Sequence, residues 1–296
     1  MNNIEYKLDP YWITGFIDAE GCFTVPLSKS SKYKQGWKIY PFFKIKLHKR
    51  DIELLKRIKS YFNEVGKVGI YDNYSYYHVS AKDELIKVII PHLDKYSLLT
   101  QKQNDFILFK KIMNLIDKGE HLNKEGLNKI ITLKASLNKG LSEKLKILYP
   151  NIEVIRPNII VPSNIDYNWL AGFFSGEGCF FIETSSKGNS VSLRIFIGQH
   201  FRDKLLINSF INILNCGSIS IYKDFTTYSV SKFKDIYNKI IPFFNEYKIE
   251  GTKLLDFQDF CEAAEIVNKK AHLTLDGLNN IKTIKLRMNS LRYKIK

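Results

Sequence analysis

The chain has 296 residues, with 45 Lys and Arg against 30 Asp and Glu, a net charge of +15 and a pI near 9.4. That balance favours a polyanionic partner, nucleic acid before an anionic membrane; no apolar run reaches the length of a bilayer span, and no signal-peptide pattern opens at Met1. Cys22, Cys179, Cys216 and Cys261 show neither CxxC nor metal-finger spacing, which argues against a disulfide framework and fits a reducing compartment. Richness in Lys, Ile and Asn, residues of A/T-rich codons, hints at an organellar genome.

Asp9 is placed to N-cap a short apolar helix, Trp12-Ile13-Thr14-Gly15-Phe16-Ile17-Asp18-Ala19-Glu20. Pro10 suits its first position, and Gly21 suits a left-handed stop. Gly15 and Ala19, four apart, leave one face almost bare, so two such helices could pack backbone to backbone. Residues 23–28 alternate and predict a strand, a Lys-rich turn covers 30–36, and 37–47 alternate again. There Ile39, Phe43, Ile45 and Leu47 share one face, while Lys38, Tyr40, Phe42, Lys44 and Lys46 share the other. The spacing of Ile52, Leu55, Ile58 and Phe62 predicts a helix over 51–63. Strands at 67–71 and 76–80 are joined by an Asp72-Asn73 turn. Helices follow over 82–96, where Pro91 argues for a break or a new start, then over 103–116 and 122–137.

The opening helix returns as Trp169-Leu170-Ala171-Gly172-Phe173-Phe174-Ser175-Gly176-Glu177-Gly178, with Asp166 as its N-cap and Gly178 as its stop. His48-Lys49-Arg50-Asp51 matches His200-Phe201-Arg202-Asp203 at an offset of 152. Val79-Ser80, Ile90-Pro91, Lys102, His121-Leu122 and Gly126-Leu127-Asn128 recur 151 residues on, at Val230-Ser231, Ile241-Pro242, Lys253, His272-Leu273 and Gly277-Leu278-Asn279. The chain therefore reads as an α+β protein of two similar halves, 1–149 and 165–296, each αββαββα with helical additions. A linker over 150–164 carries Pro150, Pro157 and Pro162, which fit an extended strap.

Each copy of the helix ends in a carboxylate, Glu20 or Glu177, where the helix dipole disfavours an anion. Its presence at both ends suggests a bound cation. Tight packing of the two helices would bring the acids together, a costly arrangement without a cation or a shared proton. Oxygen-only ligation suits Mg2+.

Ile13 to Gly21 and Leu170 to Gly178 resemble the LAGLIDADG signature of homing endonucleases and intron maturases, and two copies in a chain of this length and charge look closest to the single-chain, I-OnuI-like branch. The resemblance implies motif helices packed together at the interface of two pseudo-symmetric halves, with two antiparallel sheets forming a DNA-binding saddle. It implies a monomeric, site-specific endonuclease that hydrolyses both strands of a long asymmetric DNA target and leaves short 3′ overhangs. The implied cofactor is Mg2+ or another hard cation such as Mn2+, with Ca2+ able to bind without supporting cleavage. An organelle-encoded, mitochondrial protein without a targeting peptide fits the same branch.

On this resemblance Glu20 and Glu177 hold metal and each serves one strand, assisted by the main-chain carbonyls of Ala19 and Gly176. Gln199, in Ile197-Gly198-Gln199-His200, lies near the attacking water; the first half has Leu47 at that place, so the two cutting sites are not equivalent. Lys102 and Lys253 are read as closing the helices that follow Ile90-Pro91 and Ile241-Pro242, either as solvated caps or as charges stabilising the transition-state phosphate. Lys232, directly after a strand, is a comparable candidate. His48, His200, His121 and His272 recur without a second ligand at metal spacing and read as helix-cap or core residues.

Alternation then selects the DNA-facing residues, since Lys and Arg read guanine edges and Ser, Thr and His are adaptable. In the first half these are Thr24, Pro26, Ser28, Ser30, Lys32, Lys34, Lys38, Tyr40, Phe42, Lys44, Lys46, Lys67, Tyr71, Tyr76, His78 and Ser80. In the second they are Phe181, Glu183, Ser185, Lys187, Ser192, Arg194, Phe196, Ser218, Ser220, Tyr222, Lys223, Thr227, Ser229 and Ser231. A one-residue slip of register would invert a whole set.

Two other functions compete. An RNA maturase would bind its own group I intron RNA without cleavage, but acids kept in both motifs favour cutting. A two-carboxylate glycosidase should line a cleft with stacked aromatics and acids, which a charge of +15 and Lys-studded strands do not suggest.

Overall fold

Pro10 fixes the first turn of α1 (Pro10–Glu20), and Trp12 to Asp18 are all buried, so this helix is enclosed on every side. The computed structural model describes residues 7–154, 156–157, 159, 161–162, 164–185 and 190–293. The chain divides into two compact units: Met1–Pro10 with Glu20–Ile160, and Tyr11–Ala19 with Val161–Lys296. Most of α1 thus packs in the second unit.

In the first unit β1 (Gly21–Thr24), β4 (Phe42–His48), β6 (Tyr74–Val79) and β5 (Lys67–Tyr71) form an antiparallel sheet in the order β1-β4-β6-β5. Phe23, Phe43, Ile45, Tyr77 and Val79 turn inward, and α2 (Ile52–Tyr61) contributes Leu54, Leu55 and Ile58 to the same core. The continuous strands expected over 23–28 and 37–47 are each broken at a proline. β2 (Leu27–Lys29) and β3 (Trp37–Ile39) peel away as a separate hairpin beyond Pro26 and Pro41, which have no N–H for the ladder. Leu27, Trp37 and Ile39 rest on a small cluster of Leu127, Ile131 and Ala135 from α6 (Lys124–Ser136), Leu145 from α7 (Glu143–Leu148), and Leu141 from the turn between them.

Pro91 marks a new start rather than a break. α3 (Lys82–Glu84) runs through a π turn, Leu85–Ile89, into α4 (Ile90–Lys95), and Pro91 falls in the first turn of α4. The wider π turn absorbs the hydrogen bond that proline cannot make. α5 (Lys102–Asp117) and α6 follow.

The second unit repeats the plan: α8 (Tyr167–Glu177), β7 (Cys179–Thr184), β8 (Val191–His200), α9 (Lys204–Leu214), β9 (Ser218–Tyr222) and β10 (Phe225–Val230). Its sheet order is β7-β8-β10-β9, again antiparallel. α10 (Phe233–Asp235), a π turn at Ile236–Ile240 and α11 (Ile241–Glu246) reproduce the proline device, and α12 (Lys253–Asn268) and α13 (Leu275–Leu286) complete the unit.

The glycines after the motif helices are not left-handed stops. Gly178 is extended, at φ −69 and ψ 154, and Gly21 already pairs with Ile45 in β1. Helix passes directly into strand, and a Cβ on Gly178 would lie 2.4 Å from the Phe174 ring, so the turn needs the glycine for space rather than for a positive φ. Asp166 caps α8 as expected, accepting from the Asn168 N–H at 2.8 Å. Of the linker, Ile155, Asn158, Ile160 and Ser163 lie outside the described residues. Arg156 is anchored by donating to the Asn138 carbonyl.

Candidate active site and nucleic-acid interface

Within the second unit α1 and α8 meet at their small residues. A Cβ on Gly15 would come to 2.0 Å from the Trp169 carbonyl oxygen, and one on Gly172 to 2.0 Å from that of Trp12. The approach is therefore backbone to backbone, as the spacing implied. Trp12 stacks on Phe16 and Trp169 on Phe173, at 5.0 and 4.9 Å between centroids. The indole of Trp169 donates to buried Asp18, while that of Trp12 donates to the Lys248 carbonyl. Ser175, which stands where α1 has Asp18, donates to Ala171 O and accepts from the Glu250 N–H.

Glu20 and Glu177 are the final residues of the two helices; Glu20 is half-buried and Glu177 exposed. Lys253 reaches the end of α8. Its ammonium donates to the Gly176 carbonyl at 2.9 Å and also to the Gly178 carbonyl. Lys102 and Lys253 were expected to close the preceding helices; instead they open α5 and α12. A lysine at a helix N-terminus opposes the dipole, and for Lys253 the carbonyls ending α8 offset that cost. Burial pushes the Cys179 thiol up, opposed by the nearby Lys253 and Arg194 charges, with Asp256 acting alongside burial.

These oxygens fit a hard cation. The Gly176 carbonyl already accepts from an ammonium, and Glu177 follows it by one residue. Among the described residues no three His, Cys, Asp or Glu gather to hold a metal, so a cation here would depend on carbonyl, water and phosphate oxygens besides the carboxylates, the habit of Mg2+.

Gln199 lies near the end of β8 opposite Thr226 of β10, and Leu47 holds the matching place opposite Ser75. Lys232 is exposed and precedes α10. It lies two residues past Val230, whose partner Ile195 is four residues back along β8 from Gln199, about 14 Å at 3.4 Å per residue. The structure does not bring Lys232 and Gln199 together.

The recurring histidines divide in two. His48 and His200 cap 3-10 turns, their Nδ1 atoms accepting from the Arg50 and Arg202 N–H groups. His121 and His272 sit in the turns before α6 and α13, each with a buried, unpartnered Nδ1.

Register settles the two sheet faces. Phe42, Lys44 and Lys46 stand opposite Thr24, His78, Cys22 and Tyr76 on the open face, with Lys67 and Tyr71 continuing it. Ser28 and Lys38 share a face of the hairpin away from its apolar cluster; Ser30, Lys32, Lys34 and Tyr40 lie in and beside its turn, Pro26 at its break. Lys46 Nζ lies 3.8 Å from the Tyr74 ring centroid and Lys44 Nζ 4.9 Å from that of Tyr76, cation–π contacts that hold both ammoniums on the sheet. Burial and the Lys44 and Lys67 charges lower the His78 pKa, so this imidazole is neutral at physiological pH.

The second sheet opens Phe181, Glu183, Ser192, Arg194, Phe196, Ser218, Ser220, Tyr222, Thr227 and Ser229, with Lys223 in the β9–β10 turn, Ser185 just beyond β7, and Ser231 beyond β10. Ser80 flanks β6 in the same way as Ser231. Lys187 lies outside the described residues.

Sequence reasoning missed Tyr74 and Cys22 on the open face; a strand begun at Tyr74 rather than Tyr76 would have included the first. It also missed a matched pair of struts. Asn138 and Asn289 are both left-handed, at φ 51 and 53. Their side chains donate to the Phe23 and Phe180 carbonyls, and their N–H groups donate to Asp105 and Asp256. The 151-residue repeat could have found them.

The LAGLIDADG endonuclease family model matches residues 13–113 and 170–264. The chain belongs to the LAGLIDADG endonuclease family. It is 42% identical to Probable intron-encoded endonuclease 2 of Neurospora crassa over 94% of its length, and spans 64% of that relative. It spans about six tenths of the length of the curated relatives it matches first, 64% of one and 54% of another. Among solved structures, the LAGLIDADG homing endonuclease I-SmaMI bound to cleaved DNA matches at a TM-score of 0.92 and 42% identity, covering 97% of this chain and 98% of that one. I-SmaMI bound to an uncleaved DNA target with calcium ions matches at 0.92 and 43%, covering 96% and 99%. This LAGLIDADG chain thus shares with them an α+β fold of two pseudo-symmetric halves with two antiparallel sheets.

Proposed function

We propose that the chain is a monomeric, site-specific double-strand DNA endonuclease, intron-encoded and mitochondrial, that hydrolyses phosphodiesters with Mg2+. The observation that carries this reading is the end of α8, where Glu177 adjoins carbonyls that already hold an ammonium ion. Glu20 at the end of α1 supplies the equivalent carboxylate for the other strand. Each acid would hold a cation with the carbonyl before it, Glu20 with that of Ala19 and Glu177 with that of Gly176, and such a cation would lower the pKa of a water and offset phosphate charge. Gln199 orients the attacking water on one strand; Leu47 cannot do so on the other. Lys253, and Lys102 in the first half, place positive charge where the phosphate gains negative charge. The open sheet faces bind the duplex, with Lys44, Lys46, Lys67 and Arg194 reading guanine edges or phosphates.

The reading is tested by incubating the protein and Mg2+ with a randomised duplex library, then recovering the cleaved molecules. On the recovered target, Glu20→Gln or Glu177→Gln should abolish double-strand cleavage and leave binding within about tenfold, because the acids act on the reaction and the sheets supply affinity. Cleavage at the wild-type rate by either variant would remove that acid from the mechanism.

A further inference from the structure

Thr226 stands directly opposite Gln199 in the β8–β10 ladder, so the two side chains project from the same face with their Cβ atoms about 5 Å apart. Thr226 is fully buried, and its hydroxyl has no hydrogen-bond partner. Hydroxyls this deep are almost always paired, and an exception calls for an explanation. Its other cross-strand neighbour, Ile221, offers no side-chain acceptor.

The first unit supplies the comparison. There Leu47 replaces the glutamine and Ser75 the threonine, and the Ser75 hydroxyl is satisfied, donating to the His48 carbonyl at 3.1 Å. The half with leucine has a paired hydroxyl; the half with glutamine has an unpaired one beside it.

We propose that Thr226 is a positioning residue for Gln199: its hydroxyl, unpaired in the free protein, pairs with the glutamine amide when DNA is bound. A glutamine side chain can turn end for end, presenting either an acceptor oxygen or a donor NH2 to the reaction. A threonine hydroxyl can pair with either end of the amide; donating to Oε1, it steadies the side chain and leaves the second lone pair of that oxygen for the attacking water. The β-branch of threonine suits the task, because it holds the hydroxyl in one rotamer against the core. This inference rests on the endonuclease reading and on Gln199 acting at the water.

The test uses the full chain, Mg2+ and a supercoiled plasmid carrying the library-selected target, with end-labelled duplex to tell the strands apart. The strand slowed by Gln199→Leu is the one this site serves. Thr226→Val keeps the volume and removes the hydroxyl. It should slow that strand by about 10- to 100-fold, the scale of a misplaced catalytic group, without lowering the melting temperature or slowing the other strand. Thr226→Ser should cut at close to the wild-type rate. In the Gln199→Leu background, Thr226→Val should add nothing.

Wild-type cutting of both strands by Thr226→Val overturns the proposal, as does further slowing in the Gln199→Leu background. A Gln199→Leu protein that cuts both strands normally refutes the glutamine role on which the proposal depends. A wild-type protein that cleaves no member of the library refutes the endonuclease reading itself. If the valine variant fails to fold, Thr226→Ala measured against the same two backgrounds decides the question.

Discussion

Trp169 Nε1 donates to the Asp18 carboxylate at 2.9 Å, tying the two motif helices through a pair that is buried on both sides. The repeat does not return the favour. Ser175 holds the place of Asp18, and the indole of Trp12 turns to the Lys248 carbonyl instead. Two helices that are nearly interchangeable in sequence therefore carry unequal bonds.

Trp169→Phe should cost roughly 2–4 kcal/mol, since it leaves a buried carboxylate without this donor and opens a small cavity. Trp12→Phe should cost about 1 kcal/mol, because a carbonyl is cheaper to strand than a carboxylate. Urea midpoints at unchanged slope would report both. Equal losses would show that the asymmetric bond carries no extra stability.

Much of the architecture was legible because it is periodic. Alternation from Phe42 to Leu47 assigned the correct face to every residue, and the Gly15 and Gly172 positions announced close helix packing before any contact was known. What escaped was set by tertiary partners. Nothing local says that Lys253 opens a helix, because its ammonium is held by carbonyls 75 and 77 residues away. Pro91 was legible as a break or a new start, and it proved a new start; the π turn that leads into it leaves no trace in hydrophobic spacing. Thr226 is invisible by pattern, since a buried threonine on a strand is unremarkable until its hydroxyl is found unpaired.

The two core tyrosines differ in the same way. Tyr228 OH donates to the Cys216 carbonyl at 3.0 Å, whereas Tyr77, its repeat partner, has a buried hydroxyl without a partner. Tyr228→Phe should therefore lose about 1 kcal/mol, while Tyr77→Phe should be neutral or stabilise by up to about 1 kcal/mol. Thermal melts of the two variants, side by side, give opposite signs if the hydrogen bonding is as described.

His92 lies buried among Tyr61, Phe62 and Tyr96, and burial pushes its pKa down to about 4 from the usual 6.5. Above pH 6.5 it is neutral whether folded or unfolded and contributes no pH dependence. Between about 6.5 and 4 the unfolded chain takes up a proton that the folded one refuses, so stability falls as the pH falls, by up to about 3 kcal/mol. Phe243 occupies the matching place in the second half. His92→Phe should flatten this part of the pH profile, and a profile as steep as that of the wild type would place the acid sensitivity elsewhere.

The open faces also differ in charge. On the strands of the first sheet Lys44, Lys46 and Lys67 face outward; on those of the second, Arg194 is offset by Glu183. If the protein neutralises roughly 8 phosphates, log K should fall against log salt with a slope near about −7, at −0.9 per contact. This term is independent of sequence, so a mixed-sequence duplex suffices to measure it. Replacing the three lysines by glutamine should make the slope shallower by up to about 2.7, against about 0.9 for Arg194→Gln. A lysine engaged on a guanine edge rather than a phosphate would instead leave the slope nearly unchanged and relax the base preference at one target position, which the cleavage-selected library reads directly. A wild-type slope shallower than about −2 would contradict an extended duplex interface. Equal changes from the two sets of variants would show that the cationic first sheet has no special part in holding the DNA.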